Sequence, residues 1–210
     1  MGVNLLNEEM IRRLSDKIWI TRKCRINSSE RLISTNRIAK FSINYFTLVV
    51  LSISIWTLYS NVDSNQLSFI TVIASLFLFA GTIGVNSLNY KERIVNLKSC
   101  YIKLDELIGD LEILKNDLPQ LHRDIVRGRF EIIRSSYQKI LDEVENHNAY
   151  DYLKFQVSQK DFKKKTDYVK YAFRYVKYTL YNLGYILIIL ILTLFPFYKP
   201  IINLFRGWIK

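Results

Sequence analysis

Two stretches without a single Lys, Arg, Asp or Glu, Phe41 to Ser60 and Leu67 to Asn89, stand close together and limit what this chain can fold into. Each is long enough to cross a bilayer, which takes roughly 20 residues at about 1.5 Å of rise apiece. Only "NVDSNQ" separates them, so they predict a tight transmembrane helical hairpin. A third uncharged run, Leu180 to Phe197, is close to the minimum spanning length. Half of the 210 residues are hydrophobic, which would also suit a soluble globule; the clustering of the hydrophobes is what argues for lipid. About forty charge-dense residues precede the first run and no small-residue cleavage site follows it, so the spans are expected to stay in the mature protein.

The basic residues set an orientation. Before the first span come Arg12, Arg13, Lys17, Arg22, Lys23, Arg25, Arg31, Arg37 and Lys40, and the loop between the spans has no base at all. The positive-inside rule then places the N-terminus in the cytosol and "NVDSNQ" outside. Lys91, Arg93, Lys98 and Lys103 after the second span, and the lysine-rich run before the third, are cytosolic by the same rule. A full third crossing would export Lys199, Arg206 and Lys210, against the rule, whereas a re-entrant or interfacial course broken at Pro196 and Pro200 would not. The net charge of +11 invites a nucleic-acid reading, but most of the excess lies beside membrane ends, where it sets topology and meets anionic headgroups. Direct nucleic-acid binding is therefore disfavoured, and membrane lipids are the expected partners.

Between the apolar runs the pattern is helical. Met10, Ile11, Leu14, Ile18 and Trp19 give residues 1–40 the look of an amphipathic arm, lying on the membrane or against later helices. Ile94, Leu97, Tyr101, Leu104, Ile108 and Leu111 alternate steps of three and four, a heptad seam. With no breaker in between, one continuous helix is expected from about Leu67 to about Leu118, ending at Pro119. Leu121, Ile125, Phe130, Ile133, Tyr137, Ile140 and Val144 then describe a returning helix. The expected fold class is an all-α integral membrane protein. Its parts are a cytosolic arm (1–40), a transmembrane hairpin (41–89), a cytosolic helical hairpin or coiled-coil stalk (90–157), and a basic joint with a third apolar helix (158–210).

Catalytic chemistry has no constellation to rest on. His122 and His147 lack partners at ligand spacing, Cys24 and Cys100 read as small buried hydrophobes, and no phosphate-cradling glycine loop or nucleophile elbow is present. No enzyme activity, cofactor or metal is expected. "ENHNAYDYLKF" (Glu145 to Phe155) reads as a helix C-terminus capped by Asn146 or Asn148, its aromatics repacking on the bundle.

The second span carries a pattern. At about 100° per residue, Thr71, Ser75, Thr82, Asn86 and Asn89 fall within about 60° of Ser68. Ala74, Gly81 and Gly84 cluster roughly opposite, and Leu78 and Phe79 interrupt the polar stripe near mid-span. A pore-lining helix with a hydrophobic gate at Leu78 and Phe79 would show this pattern, since apolar constrictions gate by dewetting. Interhelical packing is the other reading, because Ser and Thr bond readily to their own backbone and Asn86 and Asn89 lie at the cytoplasmic end. A single hairpin cannot enclose water, so a pore requires a homo-oligomer; the small face and the heptad seam are the surfaces expected to supply it.

"DKIWITRKCRINSSERL" (Asp16 to Leu32), the two spans, "SLNYKERIVNLKSCYIKL" (Ser87 to Leu104) and "ENHNAYDYLKF" resemble the SLATT domain family, short two-span membrane effectors of bacterial conflict systems. The resemblance covers roughly Ile11 to Val157 and leaves the last sixty or so residues outside the two-span pattern. It implies an inner-membrane effector that forms pores and depolarises the cell upon infection. Its trigger is a separately encoded partner: a nucleotide-signal synthase, a nucleotide sensor or a reverse transcriptase. The matching motif positions are Trp19, Lys23, Cys24, Arg25, Asn27, Glu30 and Arg31 in the arm, Asn89 to Arg93, Asn96, Leu97, Cys100 and Tyr101 after the second span, and Asn146, His147, Asp151 and Tyr152. Among them Arg25, Glu30, Tyr90, Glu92, Arg93, Asn96, His147 and Asp151 are the gating candidates, with opposite charges on the arm and the long helix expected to hold a closed state. The rival expectation is a non-conducting membrane adaptor that docks a sensor or a nucleic-acid enzyme through its cytosolic helices.

Overall fold

The computed structural model describes residues 2–59, 64–146, 148–159, 169–177 and 180. Besides a helical stretch over 169–177, these hold α1 (Gly2–Tyr59), α2 (Ser64–Ser87), α3 (Tyr90–Asp117), α4 (Arg123–Asp142) and α5 (Ala149–Ser158). No strand occurs among the described residues. The expected third apolar helix over Leu180–Phe197 lies outside them except for Leu180, as does His147. The arm and the first apolar run form one helix, α1, because neither Pro nor Gly occurs between Val3 and Tyr59.

The continuous helix expected from Leu67 to Leu118 is instead two. Asn89 adopts φ 47°, in the left-handed region, between the end of α2 and the start of α3. Leu88 and Asn89 N–H groups bond back three residues, to the carbonyls of Val85 and Asn86 at 3.4 and 3.2 Å, closing α2 with tightened final turns. Asn is the residue after Gly that best tolerates this conformation, so the asparagine itself is the breaker.

The chain divides into two compact units, one of residues 1–34 with 90–171, the other of 35–89 with 172–210. In the first unit, three stripes meet. The arm part of α1 turns Ile11, Leu14, Ile18, Thr21, Arg25, Ser28 and Leu32 inward, at alternating steps of three and four. α3 contributes Leu97, Cys100, Leu104, Leu107, Leu111 and Leu114, all buried. α4 contributes Val126, Phe130, Ile133, Tyr137 and Ile140. This corrects the expected seam of α3: Leu97, Leu104 and Leu111 belong to it, but its other register is Cys100, Leu107 and Leu114, while Ile94, Tyr101 and Ile108 are half-buried at its flank. The seam also lies within the core of one chain, so it is not free to build an oligomer.

Pro119 ends α3 as expected, with Gln120 and Leu121 N–H groups donating to the Asp117 carbonyl at 3.0 and 3.1 Å. Arg22–Asp105 at 3.0 Å and Lys103–Glu143 at 2.7 Å brace the helices at the surface, where solvent screening leaves such pairs a small part in stability. In the second unit the longer described helices are α2 and the remainder of α1, and their apolar side chains are mostly exposed; Phe77 and Phe79 are examples. Such surfaces suit lipid or neighbouring helices rather than water.

Candidate functional site

"ENHNAYDYLKF" is a helix start, not the expected C-terminus. Asn148 is the N-cap of α5: its side-chain oxygen accepts the Tyr150 N–H at 2.6 Å, and Asp151 Oδ2 accepts the Asn148 N–H at 3.0 Å. Reciprocal bonding of this kind satisfies donors that a helix N-terminus otherwise leaves open. The capping residue Asp151 is also completely buried, and this gives it a second task.

That task is to hold α5 on α1. Arg31 donates to both Asp151 oxygens, Nε to Oδ1 and Nη2 to Oδ2, each at 3.1 Å. Asn27 Nδ2 donates to the Asp151 carbonyl at 3.0 Å, and Lys154 reaches Glu30 at 2.7 Å on the exposed side. Trp19 meets Phe155 edge to face at 5.4 Å. A bidentate, charge-assisted pair with a buried carboxylate has a fixed geometry, so this joint admits one docking of α5.

Arg25 lies in the same region and is as deeply buried as Asp151. Its Nη2 approaches Asn146 Oδ1 at 3.4 Å, and its Nε and Nη1 have no acceptor. Burial pushes the Cys24 thiol up to about 11, with Asp151 adding to the rise and Arg25 opposing it. Cys100 is raised for the same main reason, burial, again with Arg25 opposing. Both thiols are free and stay protonated at neutral pH, so they are inert packing groups and no counter-charge for Arg25.

The gating candidates thus fall into two groups. Arg25 and Asp151 come together at the α1–α5 joint, and Glu30 reaches α5 through Lys154. Arg93 donates to both carboxylate oxygens of Glu145 in the segment between α4 and α5, and lies 5.9 Å from the Tyr90 ring. Glu92 and Asn96 are exposed and make no side-chain bond among the described residues. The joint was hidden in the sequence because Arg25 occupies an inward heptad position; extending the Ile11, Leu14, Ile18 spacing through Thr21 to Arg25 and Leu32 is the signal that locates it.

Along α2 the expected polar stripe is arranged differently. Thr71 is buried, Thr82 and Leu78 are half-buried, and Ser68, Ser75, Phe79, Asn86 and Asn89 are exposed. Every described hydroxyl bond there is local: Thr71 to the Ser68 carbonyl at 2.8 Å, Ser75 to Val72 at 2.7 Å, Thr82 to Leu78 at 2.8 Å. The same holds in α1 for Ser42, Thr47, Ser52 and Ser54. A Cβ added at Gly81 or Gly84 would meet nothing within 4 Å among the described residues, whereas Ala74 on the same small face is half-buried. Among the described residues no cluster of His, Cys, Asp and Glu could hold a metal ion.

Residues 7–198 match the family model described as SMODS and SLOG-associating 2TM effector domain family 5. The match reaches well beyond Val157 and takes in the C-terminal apolar run, so that segment is part of this family's pattern rather than a departure from it. No curated protein and no solved structure matches the chain.

Proposed function

The chain belongs to this family of two-transmembrane effector domains, and from that premise we propose that its oligomer forms a gated pore in the bacterial inner membrane. In this reading the pore depolarises the cell as an antiphage effector. α1 and α2 cross the bilayer with the N-terminus in the cytosol, and the polar stripe of α2 from Ser68 to Asn86, with Asn89 just past the helix end, lines the pore, interrupted by Leu78 and Phe79. The carrying observation is that α2 sustains this stripe with no charged residue and with the hydroxyls of Thr71, Ser75 and Thr82 satisfied within the helix. Such a helix can stand in lipid and still present oxygen atoms to water when several copies surround a lumen. The family's association with SMODS and SLOG domains supports a separately encoded sensor or enzyme as the trigger.

The test is ion flux into liposomes carrying the purified full chain, compared with a Thr82→Leu/Asn86→Leu double variant that still assembles. Conduction by the first and not by the second is expected. If neither conducts, with or without the neighbouring gene product, the pore reading fails. The adaptor reading would then take over, and one observation favours it: Ile113 and Ile132, 59% and 67% exposed, line a shallow groove with Asp110 and Arg129 on the first unit. Partner capture through that groove would survive the double substitution in α2.

A further inference from the structure

The α1–α5 joint holds two arginines and one carboxylate. Asp151 is fully engaged by Arg31, the Asn148 amide and, through its backbone, Asn27. The nearby acids Glu143 and Glu145 are taken by Lys103 and Arg93 at the surface. Arg25 is left with one long contact to a neutral amide, at 3.4 Å, and with two unpartnered nitrogens, while none of its surface reaches solvent. Cys24 and Cys100 are neutral and supply no charge. A guanidinium cannot shed its proton to escape such a place, so the desolvation is carried by the fold.

Arg25 also stands where a heptad wants an apolar side chain. Ile11, Leu14 and Ile18 precede it on the inward stripe and Leu32 follows. A polar residue at a core heptad position lowers stability, and an uncompensated charge lowers it more.

We propose that Arg25 is a built-in spring: the joint is closed against an uncompensated buried cation, and α5 is poised to lift from α1 and release Arg25 to water. The Arg31–Asp151 pair, the Asn148 cap and the Trp19–Phe155 contact are the catch. That this release is the activating movement rests on the pore reading above; the loading of the joint does not.

The opposing signs of two kinds of substitution make the idea testable. Asn146→Asp is nearly isosteric and places a carboxylate where Arg25 now meets an amide, and Asn146 is exposed enough to accept it. Amide hydrogen exchange of residues 149–158 is measured on the full chain in liposomes. Asn146→Asp is expected to slow it by about tenfold or more, and Asp151→Asn to accelerate it by about tenfold or more. Should Asn146→Asp fail to assemble, Arg25→Met decides: it also slows exchange if the charge is a load. Unchanged or faster exchange in Asn146→Asp, or in Arg25→Met where that variant decides, overturns the proposal. Ion leak from the same liposomes, expected to fall in Asn146→Asp and rise in Asp151→Asn, separates the two readings. Slower exchange with undiminished leak overturns the link to activation and leaves the pore. The exchange differences in a protein that never conducts support the spring and remove the pore.

Discussion

The first unit bonds polar side chains between helices as well as within them, and the side-chain bonds described in the second stay within single helices. Arg31 to Asp151, Asn27 to Asp151, Thr21 to Tyr137 and Lys154 to Glu30 all join residues more than a hundred positions apart. In α2 and the apolar part of α1, the hydroxyls of Ser42, Thr47, Ser52, Ser54, Thr57, Thr71, Ser75, Thr82 and Ser87 each reach three or four residues back along their own helix. Bonds of the first kind specify one arrangement of neighbours, because breaking those to the buried Asp151 leaves buried polar atoms without a partner. Bonds of the second kind travel with the helix, so its neighbours can change without any polar group losing its partner. A unit that must keep a fixed switch and a unit that must assemble with other copies want these opposite designs, which is the physical sense of the proposed division of labour.

The largest effect that tests this contrast is Asp151→Ala. Removing the carboxylate from this joint takes away the bidentate partner of Arg31 and the acceptor of the Asn148 N–H, and a loss of about 3–5 kcal/mol is expected. Denaturant unfolding of the detergent-solubilised chain, followed by tryptophan fluorescence, measures it. A loss no larger than that of a surface pair, about 1 kcal/mol or less, would erase the distinction between the units. Next comes a matched pair of truncations. Leu104→Ala in the first unit's core is expected to cost about 2–5 kcal/mol. Leu76→Ala in α2, at a side chain 63% exposed in the single chain, should stay within about 0.5 kcal/mol in a solubilised monomer. Equal losses would mean that Leu76 is packed in solution, and the comparison would sharpen into evidence for assembly through that face.

A third test concerns the point where α2 gives way to α3, and it shows where the sequence was legible and where it was not. The absence of charge marked both apolar helices, and Pro119 with the flanking periodicities marked the α3–α4 hairpin, since each of these signals has one physical reading. Asn89 has two readings: mid-helix asparagine and left-handed asparagine look alike in a sequence, and only the backbone at φ 47° tells them apart. The phase of the α3 seam failed for a similar reason. Ile94, Tyr101 and Ile108 are as apolar as Cys100, Leu107 and Leu114, and one turn of bias toward the cysteine face was invisible until α4 and the arm packed against it. Arg25 escaped because charge is read as exposure. Asn89→Gly should be neutral to within a few tenths of a kcal/mol, whereas Asn89→Val should cost about 1–2 kcal/mol or turn residues 88–89 helical. Circular dichroism distinguishes those two fates, because the second adds helix where the cost of the left-handed conformation does not.

The smallest effect is a pH dependence confined to the first unit. The Cys24 thiol sits at about 11 against an ordinary 9.0, raised chiefly by burial. Between those values the folded chain keeps the proton that the unfolded chain has lost, so this contribution to stability is full below pH about 9 and drains away as pH climbs toward 11. Only the opening part of that window can be used before tyrosines and lysines begin to titrate. The unfolding midpoint is therefore expected to fall slightly from pH about 8 to about 9.5, by less in Cys24→Ala than in the parent chain. Cys100 is raised in the same direction and leaves a residual slope in that variant. A slope over this interval that is the same in the parent chain and in Cys24→Ala would instead place Cys24 in contact with water, since a thiol at its ordinary value adds no pH dependence, so the same titration also reports whether Cys24 is closed off at rest.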